Sequence, residues 1–290
     1  MQTMDIRDLE KYRRLHLNIR RSLSQGEGTR RSSSKGRSAE FSGYREYIPG
    51  DDMRYVDWNA FARLDKLYIK EFMEEREGRV NIYLDTSMSM EFGAKLKSTL
   101  MAELTEIISF ISMSGRDVVY VTNLADVSRS LKVQPGKNGM VILDKWLREQ
   151  KPSGRIDIGA ALKRAVRTRG GMTFIMSDFM DENFASVEKD IIKYYRFFGT
   201  DVCLIHILSK EEMEVDMAGA FRFVDSEDEN RDVRLTLNRR TIGEYDEALK
   251  NYIKLLKVNA AKAGASYLLC NTDENVETII YEKLKGVFAL

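Results

Sequence analysis

A short run of oxygen-bearing residues, Asp85-Thr86-Ser87-Met88-Ser89, follows directly on an apolar segment of the chain. It places one carboxylate and two hydroxyl groups at alternate positions of a single loop. Such hard oxygens suit Mg²⁺ or Mn²⁺, which take carboxylate, hydroxyl and water ligands in near-octahedral geometry. A second carboxylate, that of Asp178, ends another apolar run. These residue types and this spacing are compatible with a divalent-metal site.

The segments that precede the two carboxylates have the composition of buried strands. Val80–Leu84 and Met172–Met176 are mostly apolar, and Gly78 and Gly171 lie shortly before them, as expected for strands inside a sheet. Beyond Val80, strand-like and helix-like stretches alternate, which predicts an α/β fold with a mainly parallel sheet. Ligands of such sheets bind at the carboxyl ends of the strands, near the topological switch point. We therefore expect Asp85 and Asp178 to lie at one edge of the sheet.

The apolar periodicities predict the remaining elements of this sheet and its flanking helices. The predicted strands are Asp117–Leu124, Val127–Val133 (an edge strand), Val202–Leu208 and Ser266–Cys270, and the predicted helices are Leu96–Ser112, Gly139–Gln150, Ile158–Arg169, Phe184–Phe197, Ile242–Ala263 and Val276–Phe288.

The overall composition is that of a folded globular protein, with 290 residues, 43% hydrophobic and 31% charged. Its two cysteines, Cys203 and Cys270, lie in apolar runs without a C-x-x-C spacing, which predicts buried thiols in a reducing compartment. The sequence contains no apolar stretch of the roughly 18 residues that span a bilayer, and no signal peptide. From these features we expect a cytoplasmic protein.

The N-terminal region is strongly basic. Residues 11–38 carry nine Lys or Arg side chains against one acid, Glu27, although the net charge of the whole chain is only +1. Apolar residues near helical spacing predict an amphipathic helix over Asp5–Leu23, followed by a flexible arm rich in Gly, Ser and Arg. A basic arm of this kind binds nucleic acid, an acidic partner or an anionic membrane, or is simply solvated. Aromatic residues do not interleave with the basic ones as a base-stacking surface requires.

The Asp-x-Ser-x-Ser run, followed by GAAL at residues 159–162 and FIMSD at residues 174–178, resembles the metal-ion-dependent adhesion site of von Willebrand factor A-like domains. The resemblance implies a Rossmann-like, mostly parallel sheet flanked by helices, here with an N-terminal extension. It also implies that Mg²⁺ (or Mn²⁺) is bound by Asp85, Ser87, Ser89 and Asp178.

One ligand of that family is replaced in this chain. The family supplies a Thr from a second loop, and the corresponding position here is Ile156, which cannot bind a cation. Because Mg²⁺ requires about six oxygens, we expect a weakened or vestigial site unless water or another side chain replaces the Thr. Asp157 either supplies the substitute oxygen or caps the helix that follows it.

A second resemblance is carried by residues 45–58, REYIPGDDMRYVDW, with AR at 62–63 and LYIKEF at 67–72. This stretch, the Gly50 block (residues 45–72), is similar to the Tyr-x-x-Gly-Asp-Asp-x-Arg-x-x-Asp-Trp run of the bacterial domain-of-unknown-function family fifty-eight. The resemblance covers residues 28–290, and it is to the shorter members without membrane helices. It implies a partner, since members are thought to work with MoxR-type AAA+ ATPases in chaperone-like or assembly roles.

The Gly50 block has a functional and a structural interpretation. Its polar and aromatic residues either form a docking surface beside the metal loop or serve as turn, capping and packing groups of the scaffold. The candidate surface consists of Arg54, Asp57, Trp58, Arg63 and Asp157.

Signatures of catalysis are missing from the sequence. It has no G-x-S-x-G elbow, phosphate-binding loop or G-x-G-x-x-G motif, and Ser87 and Ser89 have no evident base beside them. The two histidines, His16 and His206, lie in the basic segment and in an apolar strand. We therefore expect a non-enzymatic adaptor protein. The alternatives are a nucleic-acid-associated protein that uses the basic arm and a metal-dependent hydrolase.

The predicted organisation has three parts. Residues 1–38 form a basic helix and flexible arm, residues 39–78 form the family block that packs on the main domain, and residues 79–290 form the von Willebrand A-like domain.

Overall fold

The computed structural model of the chain describes residues 3–18, 40–73, 78–152, 154–165, 170–181, 183–215, 219–224 and 232–289. The described residues group into two compact units. The larger unit is drawn from Met1–Gln25 and Gly78–Leu290, and the smaller from Gly26–Glu77. The described residues 3–18 of the predicted basic region group with the larger unit.

The elements are numbered in chain order. The strands are β1 (His16–Leu17), β2 (Glu40–Glu46), β3 (Tyr68–Met73), β4 (Arg79–Leu84), β5 (Val118–Asn123), β6 (Ser130–Val133), β7 (Met172–Ser177), β8 (Asp201–Leu208), β9 (Gly219–Val224), β10 (Asp232–Leu237), β11 (Ser266–Asn271) and β12 (Phe288–Ala289). The helices are α1 (Trp58–Leu64), α2 (Lys97–Ser114), α3 (Lys137–Arg148), α4 (Ile158–Arg164), α5 (Phe184–Phe197), α6 (Lys210–Met213), α7 (Arg239–Ala263) and α8 (Val276–Thr278). Short 3₁₀ helices cover Ile6–Tyr12, Met53–Tyr55 and Met88–Glu91, and one π-helical turn covers Ile279–Lys283.

A six-stranded sheet forms the centre of the larger unit, in the order β11-β8-β7-β4-β5-β6. Its strands are parallel except β6, which runs antiparallel to β5 at one edge. This confirms the predicted α/β class with a mostly parallel sheet flanked by helices. The connection from β4 leads to β5 on one side, whereas β7 pairs with the other side of β4. The topological switch point therefore lies at the carboxyl ends of β4 and β7.

The central strands are apolar because both faces of the sheet are covered by helices. Alternate side chains of β4 point to opposite sides, so that Ile82 and Leu84 join a core cluster with α2 and α3, whereas Tyr83 joins a second cluster with α4, α5 and α7. A glycine lets β7 approach β4. Gly171 has φ +87, and a Cβ atom on it would lie 1.9 Å from the carbonyl oxygen of Arg79, so a side chain cannot be accommodated there.

Most predicted elements of the larger unit are confirmed to within a few residues. The helix predicted over Phe184–Phe197 has those bounds, and the edge strand predicted within Val127–Val133 is β6. The helix predicted over Ile158–Arg169 ends at Arg164, and residues 166–169 lie outside the described residues. The two cysteines are buried free thiols, as predicted.

The predicted terminal helices are wrong. In place of a helix over Asp5–Leu23 there is a 3₁₀ helix ending at Tyr12, because Leu9, Tyr12 and Leu15 recur every three residues and all enter the core. The predicted helix Val276–Phe288 is reduced to α8 and the π-helical turn. Both predictions fail for the same reason: residues near the two ends of the chain form the strands β1 and β12, which pair with each other. Residues 19–39, with most of the predicted basic arm, lie outside the described residues.

The smaller unit is built on an antiparallel pair, β2 with β3, and the helix α1. The side chain of Asp57 caps α1 by accepting the backbone N–H groups of Asn59 and Ala60 at 2.9 and 3.2 Å. Trp58 and Phe61 on this helix contact each other edge to face.

Across the described ranges of both units, no helix combines the length and the apolar character needed to cross a bilayer.

Candidate functional site at the carboxyl ends of β4 and β7

The parallel pairing of β4 with β7 brings the predicted metal-binding residues to one edge of the sheet. Leu84 pairs with Met176 in register, and the backbone N–H of Asp85 donates to the carbonyl of Met176 at 3.0 Å. The two strands therefore end side by side, and Asp85 and Asp178 follow them. We call Asp85, Ser87, Ser89 and Asp178 the strand-end site.

Both oxygens of the Asp85 carboxylate accept hydrogen bonds inside the protein. Oδ1 accepts the backbone N–H of Ser87 at 2.9 Å, and Oδ2 accepts the hydroxyl of Ser177 at 2.5 Å. The side chain is buried. Burial, and secondarily the negative charge of Asp178, raise the pKa of Asp85 above its ordinary value.

The loop after Asp85 is held by hydrogen bonds of its own hydroxyl groups. The Oγ atoms of Ser87 and Ser89 lie 2.9 Å apart and share a hydrogen bond. The hydroxyl of Thr86 donates to the side-chain oxygen of Asn123, at the end of β5, at 2.8 Å. The two serines therefore meet, as the metal motif predicts, while Thr86 fixes the loop to the neighbouring strand.

Asp178 is paired with a buried lysine. Its Oδ2 accepts from Nζ of Lys97 at 2.7 Å, and its Oδ1 accepts the backbone N–H of Met180 at 3.2 Å. Nζ of Lys97 also donates to Oε1 of Glu212 at 2.6 Å. Although burial would raise the pKa of Asp178, the charge of Lys97 and these hydrogen bonds outweigh it, and the pKa is lowered. The attraction of the two carboxylates likewise outweighs burial at Lys97 and raises its pKa.

The backbone after Asp178 is strained. Phe179 has φ +49, in the left-handed region that an aromatic residue rarely adopts. Its N–H donates to the hydroxyl oxygen of Ser177 at 2.8 Å, and its carbonyl accepts from the hydroxyl of Tyr252. Phe179 also stacks on Phe184. These contacts hold the strained residue in place, so the loop that carries Asp178 has one fixed conformation.

The donor atoms of the strand-end site fit a hard cation, but the charges do not. Carboxylate and hydroxyl oxygens converge as Mg²⁺ or Mn²⁺ requires. However, Asp178 is already paired with Lys97, and both oxygens of Asp85 are used inside the protein. Within the described ranges no cluster of three or more acidic, His or Cys side chains could hold a metal ion. The residues present do not match a resident divalent ion.

The second loop adds no ligand in this arrangement. Ile156, at the position of the family's Thr, is buried in the core cluster that includes α4, α5 and α7. Asp157 caps α4, accepting the backbone N–H of Ala160 at 2.7 Å. Of the two roles predicted for Asp157, the geometry shows the helix cap.

The predicted residues of the Gly50 block belong to the smaller unit and take part in local contacts. Arg54 is exposed, and its guanidinium binds the carboxylate of Asp52 at 2.6 Å. Asp57, besides capping α1, accepts the hydroxyl of Tyr44 at 2.8 Å, the largest of the contacts that lower the pKa of Asp57 to about 2. Trp58 is 56% exposed, and Arg63 is exposed beside it on α1. Whether these residues form a docking surface stays a prediction.

The described part of the basic region carries paired charges. Lys11 binds Glu277 at 2.5 Å, and Arg13 binds Glu10 at 2.7 Å. Both are therefore engaged within the larger unit.

Sequence reasoning did not find Lys97, Glu212 and Ser177, which complete the strand-end site. Lys97 is the first residue of α2, where the helix dipole disfavours a positive charge. A lysine in the first turn of a predicted helix is the one signal that could have drawn attention to it. Glu212 is the fourth residue of the Ser209-to-Glu212 capping box of α6, and its sequence position indicates nothing beyond that role.

Two curated relatives are similar to part of the chain. Uncharacterized proteins of Mycobacterium bovis and Mycobacterium tuberculosis are each 30% identical to it over 47% of its length. The match covers 45% of each relative, so the chain spans less than half of their length.

Three solved structures are also similar, at low identity. A conserved hypothetical protein, BatB, of Bacteroides thetaiotaomicron is 14% identical with a TM-score of 0.44, and covers 72% of this chain and 98% of its own. An aerotolerance-related membrane protein of Bacteroides fragilis is 16% identical with a TM-score of 0.41, over 72% and 100%. An uncharacterized membrane spanning protein of Vibrio fischeri is 14% identical with a TM-score of 0.19, over 72% and 98%. We draw no conclusion about fold from these scores.

The predicted cytoplasmic location is contradicted by these comparisons. Two of the three similar structures are described as membrane proteins, a class that the prediction excluded. The descriptions concern those proteins, and we propose no other location for this chain in its place.

A family model identifies the chain more directly. The model described as "Protein of unknown function DUF58" matches residues 43–252, a range that includes the whole Gly50 block, the strand-end site and most of the sheet. This confirms the family resemblance carried by the Gly50 block. The chain belongs to the DUF58 family of proteins of unknown function.

Proposed function

We propose that this chain is a non-enzymatic adaptor that binds another protein through the loops at the carboxyl ends of β4 and β7. The observation that carries the proposal is a set of apolar side chains exposed on top of a buried polar network. Met88, Phe92 and Leu96 follow β4, Met180 follows β7, and each is between 37% and 49% exposed. Exposed apolar side chains on adjacent loops are typical of protein-binding surfaces.

The surface is suited to recognition because its base is rigid. The hydrogen bonds of Asp85, Thr86 and Ser87 hold the first loop, and those around Phe179 hold the second. A surface fixed before binding loses less conformational entropy when a partner docks. Phe92 is 49% exposed and is of the aromatic type that often dominates binding energy.

Chemistry by the same residues is less favoured. The hydroxyl groups of Ser87 and Ser89 bond to each other, and Nδ1 of the buried His206 lies 2.5 Å from the hydroxyl of Tyr267. Burial lowers the pKa of His206 to about 4. A nucleophilic serine needs a base within hydrogen-bond reach. Ser87 and Ser89 hydrogen-bond to the carboxylates of Asp85 and Asp178, but these carboxylates also accept from Ser177 and Lys97, which disfavours them as bases.

We further propose a von Willebrand A-like sheet for the larger unit and a MoxR-type AAA+ ATPase as the partner. The fold is supported by the parallel strand order and by Asp-x-Ser-x-Ser at the carboxyl end of β4, with Asp178 after β7. The ATPase rests on the family resemblance alone. The metal ion expected from the motif is not part of this proposal, because Asp178 is paired with Lys97 and both oxygens of Asp85 are used inside the protein.

The proposal is tested with the purified full chain and a purified MoxR-type ATPase of the same organism. Phe92→Ser removes the one aromatic side chain among the four that define the proposed surface, and we expect its affinity for the ATPase to fall at least about tenfold. The matched control is Phe197→Ser, which removes the same side chain from α5, where it is 84% exposed. We expect this control to bind as the wild type does.

Three results separate the parts of the proposal. If the wild type does not bind the ATPase, the assigned partner is wrong. If Phe92→Ser and Phe197→Ser bind equally well, the ATPase assignment stands and the surface does not. Loss of binding in both variants with unchanged melting temperatures would indicate a contact area wider than the loops after β4 and β7.

A further inference from the structure

Lys97 is a fully buried cation at the centre of the strand-end site. It is the first residue of α2, its side chain is 0% exposed, and its ammonium group lies 2.7 Å from Asp178 and 2.6 Å from Glu212. A buried lysine is retained only where nearby negative charge compensates for the lost hydration. The position at a helix N-terminus adds a further unfavourable interaction with the helix dipole. Two carboxylates therefore stabilise one lysine.

The remaining oxygens of both carboxylates are also used. Oε2 of Glu212 accepts the backbone N–H of Ser209 at 2.7 Å, and Oδ1 of Asp178 accepts that of Met180 at 3.2 Å. Each carboxylate is thus fixed by its own loop and directed at the ammonium group. Lys97 thereby joins the loop after β7 to the segment after β8, and does so from the helix that follows the Asp85 loop.

This arrangement does for the site what a metal ion would do. A divalent cation in an oxygen site neutralises carboxylates on separate loops and holds those loops together. Here the ammonium group of Lys97 lies between the carboxylates of Asp178 and Glu212, offsets one of their two negative charges and holds the two segments together. For a metal ion to reach Oδ2 of Asp178, it would have to displace a lysine that is enclosed on all sides.

We propose that Lys97 is the resident cation of the strand-end site, and that the loops after β4 and β7 therefore keep their conformation without a divalent metal. This assignment of Lys97 rests on the proposed function in one respect only: if the chain is an adaptor, its binding surface is always formed and is not switched by a metal ion. The conformational claim itself does not require any partner.

The test uses thermal unfolding of the full chain in about 5 mM MgCl₂, MnCl₂ or EDTA, where a functional metal site would be saturated or emptied. We expect the melting temperature of the wild type to differ by less than about 1 °C among the three conditions. Lys97→Met, which leaves the buried carboxylate of Asp178 and the partly buried one of Glu212 without a cation, should lose roughly 5–10 °C in EDTA. Mg²⁺ or Mn²⁺ should restore part of that loss, because the vacated position then attracts a cation.

Two further variants control for other causes. Lys95→Met removes a neighbouring lysine that is exposed and paired with Asp273 at 3.2 Å, and we expect a shift of less than about 1 °C. The double variant Lys97→Met with Asp178→Asn removes one charge of each sign. We expect it to lose less than Lys97→Met alone, so it keeps the test informative if the single variant does not fold.

The proposal is overturned by any of three results. A metal-induced rise in the wild-type melting temperature, or saturable heat when wild type is titrated with Mg²⁺ or Mn²⁺, would show that a metal is the cation of this site. Equal stability of Lys97→Met and Lys95→Met would show that the buried ammonium group holds nothing together. None of these measurements involves the ATPase, so they stand whether or not the proposed partner is correct.

Discussion

The strand-end site and the Gly50 block contain similar ion pairs in opposite settings. Lys97 and Asp178 lie 2.7 Å apart with side chains 0% and 3% exposed, whereas Arg54 and Asp52 lie 2.6 Å apart with side chains 77% and 28% exposed. The distances are nearly equal. The environments differ, and the environment determines what the loss of one partner does to stability.

The two regions also differ in the length of chain between partners. Lys97 is 81 residues from Asp178 and 115 residues from Glu212, while Arg54 is 2 residues from Asp52 and Arg45 is 6 residues from Asp51. These two ion pairs of the Gly50 block join residues close together in the chain. Those of the strand-end site exist only when the sheet is assembled, so they report on the fold as a whole.

The largest effect is expected from Asp178→Asn. This substitution keeps the shape of the side chain but leaves Lys97 buried with Glu212 as its remaining carboxylate, and should lower the free energy of unfolding by about 3 kcal/mol. Urea denaturation measures it. Asp157→Asn is the matched control, because Asn caps a helix as well as Asp does and Asp157 serves as such a cap. A similar loss in the two variants would remove the contrast between buried and exposed carboxylates.

A smaller effect is expected from Glu188, a buried carboxylate of α5. Burial, opposed by Asn259 and Lys189, raises the pKa of Glu188 to about 7 from 4.5, whereas that of Asp178 is lowered. The folded state therefore binds the proton more tightly than the unfolded state does. The stability linked to this group is complete below about pH 4.5 and is lost as the pH rises through about 7.

Glu188→Gln removes that titration. Relative to the wild type, the variant should gain about 1 to 2 kcal/mol between about pH 5 and pH 8, after a discount for solvent screening. Denaturant midpoints at the two pH values measure the gain. Glu244→Gln on α7, an exposed side chain paired with Arg240, should show no such change, and a gain in both variants would point to general charge effects.

A still smaller effect is expected within the Gly50 block from Asp57→Ala. The substitution removes the cap of α1 together with the contacts to Tyr44 and Lys70, and should lower the melting temperature by roughly 2–4 °C. Asp57→Asn retains the cap and should recover most of the loss. If Asp57→Asn is no better than Asp57→Ala, the ion pair rather than the cap stabilises this unit.

The smallest effect on stability is expected from Arg54→Ala. Its pair with Asp52 is exposed, so the melting temperature should change by less than about 1 °C. The informative measurement is partner binding. Loss of ATPase binding at unchanged stability would make the Gly50 block a docking surface, and unchanged binding would leave the loops after β4 and β7 as the proposed surface.

The strands of the sheet were predictable because each is specified by a short apolar run of the sequence. Apolar runs such as Val80–Leu84 and Met172–Met176 bury the side chains of both strand faces only inside a sheet that is covered on both sides. The strands β4 and β7 form at these runs. The positions of Asp85 and Asp178 at the ends of these strands followed from the same runs. The prediction of terminal helices was wrong because β1 pairs with β12, a contact between residues near the two ends of the chain.

The sequence by itself determined which strands form the central sheet, which oxygens gather at their carboxyl ends, and, through the Gly50 block, the family. Only the tertiary structure decided the charge of the strand-end site. A carboxylate at the end of a strand is compatible with a metal ion, a lysine or a bound proton, and the choice depends on which side chain the assembled fold encloses beside it. In this chain that side chain is Lys97, because the packing of α2 against the sheet brings its first residue to Asp178 and Glu212. Burial then requires the ion pair, because a charge removed from water is unstable unless an opposite charge lies within a few ångströms.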